Sequence, residues 1–204
     1  MNITIIGAGN VGRALGENLS NSGYKVIFGV KEISEDLKKF ISDKKNISLK
    51  EVKDSVLNSD IIIFSIPPEV LFDVLKETGE LENKILIDAT NSISKKPGEF
   101  NTVFEALKKK SGSEKVIKCF NSTGFENMRN PRYGDIGIDM FIAGSDEESK
   151  KTVIKIVKDM GFEECYDFGG DDKVELLEKF ALSWINLAIF QKMGRNIAFK
   201  ILKR

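Results

Sequence analysis

The 204-residue chain opens with Ile5-Ile6-Gly7-Ala8-Gly9-Asn10-Val11-Gly12, an apolar run followed by glycines in the pattern G-x-G-x-x-G. The chemistry open to such a turn is anion binding. Gly7 permits a tight turn, Gly9 removes the Cβ that would keep a pyrophosphate off the backbone, and Gly12 lets a helix pack closely on a strand. Ala8, Asn10 and Val11 complete the turn. The helix that follows offers unpaired N–H groups and partial positive charge to the phosphates. The hexapeptide alone is a common pattern. Placed between an apolar strand and an amphipathic segment, it reads as a nicotinamide-dinucleotide fingerprint.

The end of the second strand should choose between NAD and NADP, by an acid for the ribose hydroxyls or a cation for the 2′-phosphate. Here the chain reads Phe28-Gly29-Val30-Lys31-Glu32. Lys31 stands where the cation belongs, beside Val30, and favours NADP(H). Glu32 could serve a ribose instead, and the plain alternative for Lys31 is a solvated surface lysine. Later strand ends should line the rest of the crevice: Ser65, Ile66 and Pro67 after one strand, and Asn91 and Asn121 after two others. Asn at such points also caps loops for purely structural reasons.

Other chemistry is excluded. The chain contains no histidine and two distant cysteines, Cys119 and Cys165. A Cys/His zinc site and a Ser-His-Asp hydrolase are ruled out, and a reducing, cytoplasmic setting is expected. Acid–base work would fall to Asp, Glu, Lys, Tyr, Cys or water. Tyr133 and Lys118 are the candidates, and nothing in the sequence pairs them. The 31 basic and 31 acidic residues balance, so nucleic acid is not an expected partner. No apolar run approaches the ~18–20 residues that span a bilayer.

The elements that must position these residues alternate short apolar runs with amphipathic segments, which predicts an α/β, Rossmann-type, doubly wound, mainly parallel sheet. The pattern predicts strands at Ile3–Ile6, Lys25–Phe28, Ile47–Leu49, Ile61–Ser65, Ile85–Ile87 and Val116–Lys118. Helices are predicted over Val11–Ser22, Ser34–Ser42, Leu49–Leu57, Glu69–Lys76 and Thr102–Lys110. After Asn121 the pattern changes. Asn127–Gly137 reads as a loop, Met140–Ala143 and Glu163–Phe168 as strands, and Glu147–Met160 as a helix. A long helix is predicted over Asp172–Met193. These features divide the chain into a dinucleotide-binding domain, 1–122, and a small helical C-terminal extension, 123–204, that completes an acceptor site or a dimer interface. The last helix is apolar around most of its circumference and should be buried on several sides. Glu178 within it is costly to bury unpaired.

Four stretches together resemble one family: Gly7–Leu15, Ile87-Asp88-Ala89-Thr90-Asn91, Phe120-Asn121-Ser122-Thr123-Gly124, and Asn196–Leu202. The chain resembles the NADP oxidoreductase, coenzyme F-420-dependent family along its whole length. The resemblance implies hydride exchange between NADP(H) and a deazaflavin, coenzyme F-420, or a flavin-like acceptor. It implies pyrophosphate contacts at Ala8–Val11 and 2′-phosphate contacts at Val30 and Lys31. Family members often carry Ser-Arg there, and Lys keeps the charge but loses the planar fork. The acceptor pocket would be lined by the Ser65–Pro68 turn, by Thr123 in the segment after Asn121, and by Ala198.

Direct hydride transfer needs no protein acid or base, so the missing histidine fits. Two other readings compete: a regulator that senses NADP(H) without turnover, and a reductase of a small imine or keto acid. A homodimer formed through the C-terminal helix is a further expectation.

Overall fold

The computed structural model describes residues 1–204. Its first part runs β1 (Asn2–Ile6), α1 (Asn10–Asn21), β2 (Lys25–Val30), α2 (Glu35–Ile41), β3 (Ile47–Glu51), α3 (Val52–Leu57) and β4 (Ile61–Phe64). A single 3-10 turn, Pro68–Val70, leads into α4 (Leu71–Thr78), β5 (Ile85–Asp88), α5 (Val103–Lys110) and β6 (Val116–Lys118). There follow α6 (Phe125–Arg129), β7 (Arg132–Tyr133), β8 (Ile136–Gly137), β9 (Met140–Ile142), α7 (Glu147–Asp159), β10 (Cys165–Asp167) and α8 (Val174–Ile185).

The first six strands form one parallel sheet in the order β3-β2-β1-β4-β5-β6. Its central strands are near-continuous apolar runs because both faces are covered. Side chains alternate across the sheet. Ile61 and Ile63 of β4 enter one hydrophobic cluster, with Ile3, Ile5 and Ile87. Ile62 and Phe64 enter the other, with Ile6, Leu86 and Phe104. Each fully buried side chain of this size contributes roughly 1.5–3 kcal/mol. The first cluster also takes in Met140, Val153 and Cys165, so one core continues past β6.

Lys118 and Ala143 exchange backbone hydrogen bonds of 2.8 and 3.1 Å in an antiparallel bridge. That bridge attaches β9, and β10 pairs parallel to β9. The α/β Rossmann-type class with its C-terminal helical region is therefore as expected.

Three local expectations are corrected. Leu49–Glu51 is strand, not the start of a helix, because Leu49, Lys50 and Glu51 pair with Phe28, Gly29 and Val30. The 127–137 segment is not all loop: α6 ends within it and β7 and β8 form a small hairpin. The last helix stops short of Met193. After α8 the chain widens into a π turn, Asn186–Phe190, then breaks where Lys192 and Gly194 take positive φ. Nor is that helix buried on several sides. Val174, Leu177, Ala181 and Trp184 are buried, while Leu176, Leu182, Ile189 and Phe190 face solvent.

Candidate functional site

The glycine turn has the shape its sequence implies. Gly7 holds φ at +105°, and a Cβ there would lie 2.5 Å from the Ser65 carbonyl oxygen. A Cβ on Gly12 would lie 1.9 Å from the Gly7 carbonyl oxygen. These two glycines are required by packing. Gly9 is different: a Cβ there would meet nothing within 4 Å, so no protein atom explains its smallness.

The carbonyls of the turn are tied inward. Ser65 Oγ donates to Gly7 O at 2.9 Å, and Arg13 Nε donates to Ala8 O at 2.9 Å. The amides of the first turn of α1 are left over. Ser34, Thr102 and Asp146 cap α2, α5 and α7 with side-chain oxygens, but Gly9 gives α1 no such cap. The 12-residue α1 therefore presents unpaired N–H groups at Asn10, Val11 and Gly12. An anion is the partner such a terminus favours.

A cleft of about 410 Å³ adjoins this turn. It lies where β1, β2 and β4 end, at the reversal of strand order, where ligands bind in such sheets. Gly7, Ala8, Val30, Lys31 and Ile66 all line it. So do Val52, Val70 and Val74, which give it apolar walls suited to a flat ring. Two acids also line it, Asp73 and Glu77 of α4. Lys31 Nζ stands 3.6 Å from Glu77 Oε1. Sequence reasoning misses these acids and looks for a ribose partner in Glu32, which is absent from the lining. Val70, Asp73, Val74 and Glu77 recur at i, i+3, i+4, i+7. That spacing places them on one helix face and could have found them.

Asn91 and Asn121 meet at the ends of β5 and β6. Asn91 Nδ2 donates to Asn121 O at 3.0 Å, and Asn121 Nδ2 donates to Asn91 Oδ1 at 3.1 Å. Asn121 is swung there by Phe120, a non-glycine residue at φ +62°. Thr90 Oγ1 and Asn121 Oδ1 are buried without a hydrogen-bond partner. A buried orphan acceptor is costly unless a bound group satisfies it.

Beneath this pair lies a charge cluster. Lys118 is completely buried; its Nζ donates to Asp88 Oδ2 at 2.8 Å, Thr90 O at 2.7 Å and Glu178 Oε1 at 2.5 Å. Glu178 Oε2 accepts the Ser92 amide at 3.1 Å. Burial raises the Glu178 carboxyl above its ordinary value, against the pull of Lys118. Lys118 is thus committed to three oxygens, and Tyr133 bonds Asn127 Oδ1 at 2.8 Å in a different network. The two candidate proton donors are not paired.

Thr123 and Ala198 lie in that second network. Thr123 Oγ1 accepts from Asn127 Nδ2 at 2.7 Å. The Ile197 carbonyl, next to Ala198, accepts from Asn127 Nδ2 and from Trp184 Nε1, both at 2.7 Å. The terminal segment is held back against α8 by these bonds and by packing of the Phe180 ring on Phe199 at 4.6 Å between centroids. Neither Thr123 nor Ala198 lines the cleft at the glycine turn.

Residues 2–92 match the model of the family described as NADP oxidoreductase, coenzyme F-420-dependent. The match spans the glycine turn and the strands β1 to β5. The F-420-dependent NADP reductase of Methanocaldococcus jannaschii is 27% identical, over 97% of each chain. A solved structure from Arthrobacter sp. FB24, provisionally assigned as an F-420-dependent NADP reductase, superposes with TM-score 0.88 at 21% identity and covers all of both chains. The imine reductase of Myxococcus stipitatus in complex with NADP⁺ superposes with TM-score 0.70 at 18% identity, over 95% of this chain and 64% of that one. At these identities the two structures establish a shared fold. The chain has the Rossmann-type fold of these proteins, and its similarity to the coenzyme F-420-dependent family model lies in its first half. No helix in it is long and apolar enough to cross a membrane.

Proposed function

We propose that the chain transfers hydride between NADP(H) and a deazaflavin, coenzyme F-420, or a flavin-like acceptor. The observation that carries this reading is the uncapped start of α1, where Gly9 opens onto space that no protein atom fills. The likeness over nearly full length to the M. jannaschii reductase supports the choice of acceptor. The residues present fit a dinucleotide. The amides of Asn10, Val11 and Gly12 would take the diphosphate, and Val30, Val52, Ile66, Val70 and Val74 would hold the adenine. Lys31 would face the 2′-phosphate. Ser65 and Pro67 shape the turn toward the nicotinamide side. The orphan Asn121 Oδ1 and its partner Asn91 suit the carboxamide.

The nicotinamide, when bound, supplies the hydride. The chain's own task is to bind, orient and exclude water. Lys118, Asp88 and Glu178 touch neither the glycine turn nor the cleft beside it. They hold the Thr90–Ser92 loop and with it Asn91. Thr123 and Ala198, tied to Asn127 and Trp184, would form the far wall where the acceptor lies.

The test is a spectrophotometric screen of NADPH oxidation against a deazaflavin, flavins, ferric chelates and cyclic imines. Turnover with the deazaflavin or a flavin is expected. Tight NADPH binding without turnover on any acceptor identifies a sensor instead, and turnover on imines alone identifies an imine reductase.

The same reading includes pairing of two chains. Leu182, Ile189 and Phe190 expose apolar side chains on α8 and its π turn, and apolar side chains exposed together favour burial against another surface. Sedimentation at micromolar concentration should give twice the chain mass, and Phe190→Lys should reduce it to the monomer.

A further inference from the structure

The cleft beside the glycine turn carries a charge arrangement that a committed NADP site would not need. Lys31 reaches it from the end of β2 as a flexible point charge, 83% exposed along its side chain, with no second cation clamped beside it. Its carboxylate partner, Glu77, is 40% exposed and lies 3.6 Å away. Asp73 lines the same cleft and is paired with Lys76 at 2.8 Å. The adjoining hollow, shared by Val30, Lys31 and Glu77, adds one further acid and one further base, Glu51 and Lys53. Every cation at this subsite is thus matched by a carboxylate. A 2′-phosphate brings about −1.5 to −2 charges and is favoured where positive charge is in excess. A ribose 2′-hydroxyl asks for an acceptor instead, and Glu77 and Asp73 are acceptors.

We infer that Glu77 sets cofactor choice in this cleft: by neutralising Lys31 and offering an acceptor to the ribose, it admits NAD(H) beside NADP(H). This inference rests on the dinucleotide reading proposed above. The physics is simple. A phosphate in contact with Lys31 Nζ would come within roughly 6–7 Å of the Glu77 carboxylate, given an ordinary charged hydrogen bond of ~2.8 Å. Like charges at that separation, in a solvent-open cleft, repel enough to change affinity about 3- to 10-fold. Glu77 therefore weakens the phosphorylated cofactor by charge repulsion, while its oxygen accepts from the ribose hydroxyl of the unphosphorylated one. It is also missing from the end of β2, where such determinants are ordinarily sought.

The test is equilibrium titration of the wild type, Glu77→Gln and Lys31→Ala with NADPH, NADH, 2′,5′-ADP and 5′-ADP. Both substitutions fall on exposed side chains, and melting temperatures should confirm intact folds. The wild type should bind NADPH and NADH within about tenfold of each other. Glu77→Gln should tighten NADPH and 2′,5′-ADP by about 3- to 10-fold and leave NADH and 5′-ADP within twofold, because the amide oxygen still accepts from the ribose hydroxyl. Lys31→Ala should weaken only the two phosphorylated ligands. A wild-type preference for NADPH beyond tenfold overturns the inference. So does a Glu77→Gln effect that is absent or equal for both ligand classes. Either result leaves dinucleotide binding standing. Failure of the wild type to bind any of the four ligands removes the functional reading itself, and the inference with it.

Discussion

Lys118 on the last strand of the parallel sheet and Glu178 on the final helix meet at 2.5 Å, 60 residues apart in the chain, with Lys118 fully buried and Glu178 nearly so. Asp88 completes the group at 2.8 Å. The contact fastens α8 beneath the loop that carries Asn91.

Removing the ammonium should be severe. Lys118→Met leaves two carboxylates facing each other in the interior, which costs about 3–5 kcal/mol. Urea unfolding followed by circular dichroism should show that loss or no folded protein at all. A loss under about 1 kcal/mol, the range of an exposed pair, would show that water reaches the cluster.

Glu178 gives a pH signature whose sign is opposite to that of most carboxylates. Burial raises its carboxyl above the ordinary 4.5. The folded chain therefore holds that proton more tightly than the unfolded chain does, and stability falls as pH rises from 4.5 through the raised value. Glu178→Gln cannot titrate. The stability of Glu178→Gln relative to wild type should thus increase as pH rises through that window. Parallel stability curves would contradict this.

Gly9 and Gly12 should separate binding from folding. Gly9 has φ −76° and open space at its Cβ, so Gly9→Ala should change stability by no more than about 0.5 kcal/mol. It should still weaken dinucleotide binding about tenfold or more, because the methyl group projects toward the phosphates. Gly12→Ala drives a Cβ to 1.9 Å from a backbone oxygen and should cost about 1–3 kcal/mol as well as binding. Fluorescence titration with thermal melts distinguishes the two. Undiminished binding by Gly9→Ala would contradict the assignment.

The thiols should be silent. Cys119 and Cys165 are both buried, and burial pushes Cys165 up to about 12 and Cys119 well above its ordinary value. An aromatic disulfide reagent at mildly alkaline pH should label neither in the native protein and both in urea. Labelling at native rates comparable to a free thiol would show that the C-terminal region opens.

The parallel sheet is legible because its strands are short, continuous apolar runs, and those expected before Asn121 lie within a residue or two of the observed ones. The third reads too short. Leu49, Lys50 and Glu51 favour helix by propensity, yet the edge of β2 recruits them into the sheet. The glycine turn is legible because its chemistry is local. The Lys31–Glu77 pair is half legible: the lysine follows its strand and helical spacing puts Glu77 on one face with Val70, Asp73 and Val74, but that this face meets the cleft is set by packing. The Lys118–Glu178 contact is partly legible: Glu178 stands out as a charge inside an apolar helix, but nothing in the sequence names Lys118 as its partner. Asn127 reads as loop, yet it anchors the terminal segment through the Ile197 carbonyl.

The buried acid under the Asn91 loop also governs what kinetics near neutrality can mean. The chain has no imidazole, and its thiols lie far up the scale. Many enzymes bend their rate profiles at about pH 6–7 through such groups. An inflection in that range would then come from the hydride acceptor or the cofactor's 2′-phosphate unless Glu178→Gln moves it. Comparing the rate profile of the wild type with that of Glu178→Gln on a single acceptor would read out which partner carries the proton.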